Sequence, residues 1–170
     1  MKTVAITNQK GGCGKTTTAV NLAVAWAEFG QRTLLIDLDP QAHATIGLGL
    51  NPEDLRLTVY DVLLQQYAWC EILKTPQEIE HLDFAPSCAK LGDAEERLHP
   101  LLGKEMILSE LLRAVHGQYD LCVIDSPPGW GVLTENALVA STDVIVPVQT
   151  HYLALQGIAQ FLESAYALRQ

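Results

Sequence analysis

Glycines, a lysine and two threonines lie together near the start of the chain. The run Gly11-Gly12-Cys13-Gly14-Lys15-Thr16-Thr17 follows a short apolar segment, with Gln9-Lys10 directly before it. Glycines let successive backbone N–H groups turn toward one anion. Lys15 supplies a positive charge for the β- and γ-phosphates, and the Thr16 hydroxyl can bind Mg²⁺. The pattern therefore predicts a loop that binds the phosphates of a nucleoside triphosphate with Mg²⁺.

The spacing of this loop departs from the ordinary GxxxxGK[ST] form. Gln9 stands where the first glycine is expected, and Lys10 follows it directly. The alternative is a glycine-rich turn with a chance Lys-Thr pair. A strand-like segment before the run and a helical pattern after it are the context that phosphate binding requires. The sequence therefore favours the variant form K-G-G-x-G-K-T-T.

Aspartates end two other apolar segments. Asp125 closes Leu121-Cys122-Val123-Ile124-Asp125, and Asp37 and Asp39 close Leu34-Leu35-Ile36-Asp37-Leu38-Asp39. We expect Asp125 to hold Mg²⁺ through a water molecule. Side chains at i and i+2 of an extended chain point the same way, so one of the Asp37–Asp39 pair can order the metal hydration while the other positions the attacking water. The alternatives are a turn-forming aspartate and a carboxylate pair that caps a loop.

The elements that must position these residues alternate along the chain. The predicted strands are residues 3–7, 33–37, 82–85, 121–125 and 143–148. Predicted helices begin near Lys15 and end at Gly30, cover residues 58–66, 89–98 and 105–116, and close the chain with an apolar stripe of Leu155, Ile158, Ala159, Leu162 and Ala165. This order predicts an α/β fold, with a doubly wound, mostly parallel sheet and helices on both faces.

Charge and cysteine usage restrict the function classes. The net charge is −9, and the 11 lysines and arginines form no basic stripe, so this chain alone is not expected to bind DNA strongly. Cys13, Cys70, Cys88 and Cys122 are scattered, which is typical of reduced thiols in a cytosolic protein. No apolar run reaches the length of a membrane span, and we expect no membrane association.

The motifs together resemble those of the ParA/Soj family of chromosome- and plasmid-partitioning ATPases, within the MinD-like group with a deviant Walker A loop. The resemblance runs over residues 1–170. It rests on the loop above, on Asp37-Leu38-Asp39-Pro40-Gln41 with Ala44-Thr45, on Asp125-Ser126-Pro127-Pro128, and on the segment that begins at Gln149. It implies ATP and ADP as nucleotides, Mg²⁺ as the metal, and weak, partner-stimulated ATP hydrolysis.

The resemblance also implies a role for each matching residue. Lys10 is the signature lysine that reaches the partner's phosphates across a dimer interface, and Lys15 grips the β- and γ-phosphates. Thr16 binds Mg²⁺, and Thr17 contacts the α-phosphate. Asp39 activates or orients the hydrolytic water and serves the metal site, which Asp125 supports. Lys10, Lys15 and Asp39 are thus the expected catalytic residues, and residues 11–17 bind the nucleotide.

Members of this family form a homodimer when ATP is bound, bind DNA without sequence preference and respond to a ParB-type partner. ADP lacks the γ-phosphate that Lys10 would meet, so hydrolysis should loosen the dimer. The resemblance implies a cytoplasmic protein that associates with the nucleoid.

This sequence departs from the family pattern at two places. Cys13 stands where relatives usually have valine, and relatives continue past the last predicted helix with strands that bind adenine. Residues 1–170 are therefore expected to form one P-loop ATPase domain that is C-terminally incomplete. Two other functions stay open, namely a nucleotide-sensing interaction module without turnover and a related MinD-like ATPase that positions a different cargo.

Overall fold

The computed structural model describes residues 1–150 and 161–168. Within them a five-stranded parallel sheet has the strand order β3-β2-β4-β1-β5. Its strands are β1 (Lys2–Ile6), β2 (Thr33–Asp37), β3 (Leu82–Ala85), β4 (Leu121–Asp125) and β5 (Asp143–Ile145). Parallel strands need crossover connections, and the chain supplies them as helices and loops between successive strands.

Helices occupy these connections. They are α1 (Lys15–Glu28), α2 (His43–Gly47), α3 (Val59–Leu63), α4 (Trp69–Ile72), α5 (Leu91–Leu98), α6 (Ile107–Leu112) and α7 (Val132–Val139). Residues 161–167 are also helical, and 3₁₀ turns cover Pro52–Asp54 and Lys104–Met106. None of the helices within the described residues is long and apolar enough to cross a membrane.

Two apolar cores lie on opposite faces of the sheet. On one face, Ala19, Ala23 and Ala27 of α1 pack with Leu35 and Val123. On the other face, the helices from α3 to α7 pack against Ala5, Leu34, Ile36, Cys122 and Ile124. Successive residues of a strand point to opposite faces, so β4 contributes Cys122 and Ile124 to one core and Val123 to the other. The predicted α/β fold with helices on both faces is confirmed.

The strand predictions agree with the structure except at three ends. The first strand begins and ends one residue earlier than predicted, at Lys2–Ile6, and β5 ends at Ile145 rather than at residue 148. Among residues 1–150 and 161–168, strand β5 pairs only with β1, and Ile145 lies opposite Ile6, the last residue of β1. Beyond this point β5 has no strand to pair with, and Pro147 has no N–H to donate.

The helix predictions were less complete. The predicted pieces 58–66 and 89–98 are confirmed in shorter form, and residues 105–116 divide into a 3₁₀ turn, α6 and turns. Of the predicted C-terminal stripe, Leu162 and Ala165 lie in helical residues, whereas Leu155, Ile158 and Ala159 fall outside the described residues. Short helices such as α2 and α4 were missed, because a segment of four or five residues is too short to show a helical repeat of apolar residues.

Strand order decides where the candidate residues meet. Strand β4 lies between β1 and β2, and Asp125 is in register with both Ile6 and Asp37. The loop that follows β1 and the aspartates that end β2 and β4 therefore lie at one edge of the sheet. In open parallel sheets this carboxyl edge is where ligands bind.

Candidate nucleotide-phosphate site

The phosphate loop, residues 9–17, joins β1 to α1. Gly12 has φ +70° and Gly14 has φ +92°, and both values lie in the left-handed region that side chains disfavour. Gly14 is the N-cap of α1, and its carbonyl accepts the first helical hydrogen bond, from Thr18 N. The glycines thus permit a turn that leads directly into a helix N-terminus. Such an N-terminus presents unpaired N–H groups and a positive dipole end to an anion.

Lys15 lies inside this loop rather than in solvent. Its side chain is buried, and Nζ donates to the carbonyl oxygen of Lys10 at 3.2 Å. The Cys13 thiol donates to the same carbonyl, also at 3.2 Å. The chain therefore keeps the Lys15 ammonium within the curve of its own loop, where it would meet the phosphates.

Asp125 is fully buried, and neither of its carboxylate oxygens has a hydrogen-bond partner among the described residues. The pKa of Asp125 is raised to about 7, chiefly by burial, and the charges of Asp37 and Asp39 act in the same direction. The nearby Thr16 hydroxyl and the charge of Lys15 lower the pKa of Asp125. The Thr16 hydroxyl nevertheless forms no hydrogen bond of acceptable geometry with the Asp125 carboxylate. Buried polar groups without partners are rare and costly. A carboxylate left unpaired among other carboxylates is suited to a cation, and Mg²⁺ prefers such oxygen ligands.

A second unpaired polar atom lies at the same edge of the sheet. Thr7 follows β1, is fully buried, and its Oγ1 also has no hydrogen-bond partner among the described residues. Its register position is next to Asp125, because Ile6 pairs with Asp125. The donor set at this edge, a carboxylate and hydroxyls beside a buried lysine, fits Mg²⁺ with a polyphosphate.

Asp37 and Asp39 have different surroundings although they are two residues apart. Asp37 Oδ2 accepts hydrogen bonds from Thr45 N at 2.9 Å and Thr45 Oγ1 at 2.8 Å, and its Oδ1 accepts one from Asp39 N at 3.1 Å. Burial still raises the pKa of Asp37 to about 6. The Asp37 carboxylate therefore holds the loop that follows β2.

Asp39 lies on that loop and is 5% exposed. Its Oδ1 accepts a hydrogen bond from Gln41 N at 2.9 Å, and no described residue donates to its Oδ2. Asp39 is close enough to Asp125 for its charge to raise the pKa of that carboxyl. The geometry therefore leaves Oδ2 of Asp39 able to accept a hydrogen bond at this edge of the sheet.

Lys10 is exposed at the outer side of the loop. Its Nζ lies 3.4 Å from Gln149 Oε1, and Gln149 Nε2 donates to Gly12 O at 3.1 Å. The two lysines thus differ in exposure and in the acceptor that each ammonium meets. Lys10 is the one of the two lysines that a second molecule could contact.

The structure adds two residues that the motif analysis did not assign to this site. Asn8 Nδ2 donates to Pro147 O at 2.8 Å, and Asn8 Oδ1 accepts from Lys10 N at 3.0 Å. Gln149 contacts the loop as described above. Asn8 follows β1, and Gln149, which begins a segment that carries the family resemblance, follows β5; the two strands are neighbours in the sheet. Together they fasten the phosphate loop to the segment that follows β5.

Comparison with known proteins shows the family of this chain. Residues 1–170 match the family model described as an AAA domain. The sporulation initiation inhibitor protein Soj of Bacillus subtilis is 47% identical over 163 residues, which are 96% of this chain and 64% of that protein. The chromosome partitioning protein ParA of Myxococcus xanthus is 41% identical over 167 residues, 98% of this chain and 59% of that protein. This chain thus spans about three-fifths of the length of these relatives.

A solved structure shares the fold closely. The cobyrinic acid a,c-diamide synthase of Mycobacterium smegmatis, crystallised with ADP and magnesium, superposes with a TM-score of 0.95 at 39% identity. The match covers 100% of this chain and 69% of that one. Sequence identity over nearly the whole chain, the family model and the variant phosphate loop agree with one another. The chain belongs to the ParA/Soj family of P-loop partitioning ATPases.

Proposed function

We propose that this chain binds ATP with Mg²⁺ at the phosphate loop and hydrolyses it to ADP and phosphate, as the nucleotide switch of a chromosome- or plasmid-partitioning system. The observation that carries the proposal is the buried Asp125 carboxylate, which lacks a hydrogen-bond partner among the described residues. It ends a strand beside Thr16 and the buried Lys15. A purely structural aspartate at this depth would be expected to have its own donors.

In the proposed complex, the backbone of residues 11–14 and the N-terminus of α1 surround the phosphates. Lys15 leaves the Lys10 carbonyl and contacts the β- and γ-phosphates, while Thr17 contacts the α-phosphate. The Thr16 hydroxyl, with Asp125 and Asp39, holds the metal and its hydration shell. When bound, Mg²⁺ neutralises charge on the phosphate oxygens.

The hydrolytic step needs an oriented water molecule more than a strong base. We assign this orientation to Asp39, whose Oδ2 receives no hydrogen bond from a described residue. The water oxygen forms a bond to the γ-phosphorus as the bond to the β,γ-bridging oxygen breaks. ADP leaves with the electron pair, and the proton of the attacking water passes to the released phosphate. Lys15 stabilises the charge that develops on the phosphate oxygens.

We further propose that ATP binding controls a homodimer. Two triphosphates that face each other repel, and a cation from each subunit would offset that repulsion. Lys10 is the exposed cation of the loop. A stimulating partner of the ParB type, DNA binding without sequence preference and a cytoplasmic, nucleoid-associated location belong to the same proposal. The net charge of −9 indicates that these 170 residues alone bind DNA weakly.

The name cobyrinic acid a,c-diamide synthase describes the Mycobacterium smegmatis protein, and we do not transfer that activity to this chain. Soj and ParA have higher identity to this chain. We therefore propose partitioning rather than amide synthesis as the use of the nucleotide.

Calorimetric titration of the chain with Mg·ATP, followed by phosphate-release measurements, tests the proposal. Micromolar binding is expected, and Lys15→Ala should abolish it because the phosphates lose their buried cation. Asp39→Ala should keep binding and lose steady-state turnover. Turnover at the wild-type rate in Asp39→Ala would contradict its assigned role. Binding without any release above the Lys15→Ala background would instead favour a nucleotide-sensing module.

A further inference from the structure

A buried hydrogen-bond network connects Asp39 to two hydroxyl residues, Thr45 and Ser87, that have no assigned role. Thr45 donates to Asp37 through both its amide and its hydroxyl, and the Thr45 hydroxyl oxygen accepts from Ser87 N at 2.9 Å. Ser87 Oγ then donates to the carbonyl oxygen of Asp39 at 2.7 Å. Thr45 and Ser87 are both fully buried. The network thus runs from Asp37 through Thr45 and Ser87 to Asp39, two residues after Asp37.

The network holds the main chain of Asp39 on both sides. Its N–H donates to Asp37 Oδ1, and its carbonyl accepts from Ser87 Oγ. Fixing both backbone groups restricts the direction in which the Asp39 side chain leaves the loop. The remaining freedom of the carboxylate is reduced by the hydrogen bond from Gln41 N to Oδ1.

Local structure alone would not fix this loop. Helix α2 has only five residues and follows Ala42, whose φ of +53° is unusual for a residue with a side chain. Isolated helices of this length are not stable in water. Ser87 follows β3, so the network ties the ends of β2, α2 and β3 together. The position of Asp39 therefore depends on contacts that are distant in sequence.

We propose that Thr45 and Ser87 are positioning residues for Asp39, which hold its carboxylate where the hydrolytic water must be oriented. The proposal rests on the role assigned to Asp39 in the proposed function. Neither hydroxyl is assigned a contact with nucleotide or metal; both act through the main chain of the loop. Misplacement of an orienting group by about 1 Å can lower the rate about 100-fold.

A matched pair of substitutions separates this role from general stability. Thr45→Val and Thr33→Val each replace a fully buried threonine by a residue of the same shape. The Thr33 hydroxyl donates to Gln31 O at the start of β2, at the opposite edge of the sheet. Thr33→Val therefore controls for the loss of a buried hydroxyl. Thr45→Ser, which keeps the hydroxyl, is the rescue variant, and Ser87→Ala breaks the network independently at its other end.

Hydrogen exchange measured without nucleotide gives the first readout. Thr45→Val and Ser87→Ala should speed amide exchange in residues 37–42 by about tenfold or more relative to Thr33→Val. Thr45→Ser should resemble wild type. Equal exchange in this segment for Thr45→Val and Thr33→Val would overturn the proposal. So would unchanged exchange in Ser87→Ala.

ATP turnover gives the second readout. Thr45→Val and Ser87→Ala should lower kcat about 10- to 100-fold while the Kd of Mg·ATP changes less than about threefold. Thr33→Val and Thr45→Ser should keep kcat within about threefold of wild type. A fall in affinity without a fall in kcat would overturn the positioning role. If wild type released phosphate no faster than Lys15→Ala, the proposed function would be contradicted. The hydrogen-exchange measurement would still decide whether the network holds Asp39.

Discussion

Asp37 and Asp125 lie opposite each other in register at the ends of neighbouring parallel strands, yet the described residues donate hydrogen bonds only to Asp37. Asp37 accepts three hydrogen bonds, whereas Asp125 accepts none from a described residue. Two aspartates with the same sequence context, an apolar strand that ends in a carboxylate, therefore have different uses. Asp37 holds a loop, and Asp125 is the carboxylate that we propose serves the metal.

The unpaired Asp125 should make stability depend on pH. Its folded-state pKa is raised from 3.8 to about 7, so its ionisation opposes folding. The destabilisation is absent below about pH 4, grows between pH 4 and 7, and is complete above pH 7, where it amounts to about 4 kcal/mol. Asp125→Asn should therefore raise the free energy of unfolding at pH 8 by about 1–3 kcal/mol, because an unpaired amide offsets part of the gain.

Urea unfolding without nucleotide, in EDTA, at pH 5 and pH 8 checks this expectation. The advantage of Asp125→Asn over wild type should shrink at pH 5, where the folded wild-type carboxyl is protonated. Mg·ATP should then stabilise wild type more than the variant. A variant that is less stable than wild type at pH 8 would contradict the unpaired state of Asp125.

A smaller stabilisation is expected for Asp37→Asn than for Asp125→Asn. The asparagine NH2 would face either the Thr45 donors or the Asp39 N–H, because Asp37 accepts from Thr45 at Oδ2 and from Asp39 at Oδ1. Leaving buried donors unpaired costs about 1–3 kcal/mol, which offsets the gain from removing a carboxyl whose pKa burial raises to about 6. Thermal and urea unfolding at pH 8 measure the difference between the two variants. Equal stabilisation of Asp37→Asn and Asp125→Asn would show that the two carboxylates do not differ as described.

Glycines of the phosphate loop should differ in their tolerance of a side chain. Gly14 has φ +92°, so Gly14→Ala should lower the free energy of unfolding by about 1–2 kcal/mol through backbone strain. Gly11 does not have a positive φ, and a Cβ there meets no atom within 4 Å. Gly11→Ala is the matched control and should change the stability by less than about 0.5 kcal/mol. Similar losses in both variants would argue against the described loop conformation.

Lys10 should matter for association rather than for nucleotide binding. Its Nζ donates to Gln149 Oε1 at the loop surface, whereas Lys15 is buried inside the loop. Lys10→Ala should keep the Kd of Mg·ATP and weaken the ATP-bound dimer about 10- to 100-fold, because the facing phosphates lose a cation.

Sedimentation velocity with a non-hydrolysable ATP analogue measures this dimer. Lys2→Ala is a suitable control, since Lys2 is an exposed lysine paired with Asp143 at the other end of β1. Dimerisation of Lys10→Ala at wild-type strength would remove Lys10 from the interface. Nucleotide-independent association of wild type would contradict the switch itself.

The sequence by itself determined the type of each main element and the chemistry of the loop. Continuous apolar strands and the run from Gly11 to Thr17 are local patterns, because glycine dihedrals, strand burial and helix starts depend on nearby residues. Four of the five strands were therefore placed within one residue of their observed ends. The predicted end of β5 was wrong, because the observed end of this strand depends on where its neighbour β1 ends.

Only the tertiary structure decided which predicted residues meet and what surrounds them. The order β3-β2-β4-β1-β5 places Asp37 beside Asp125, and no local pattern contains that order. The same holds for Ser87, which reaches Asp39 across 48 residues of sequence. Burial and hydrogen-bond pairing are properties of the packed chain. For this reason two aspartates that look alike in the sequence differ in the folded protein.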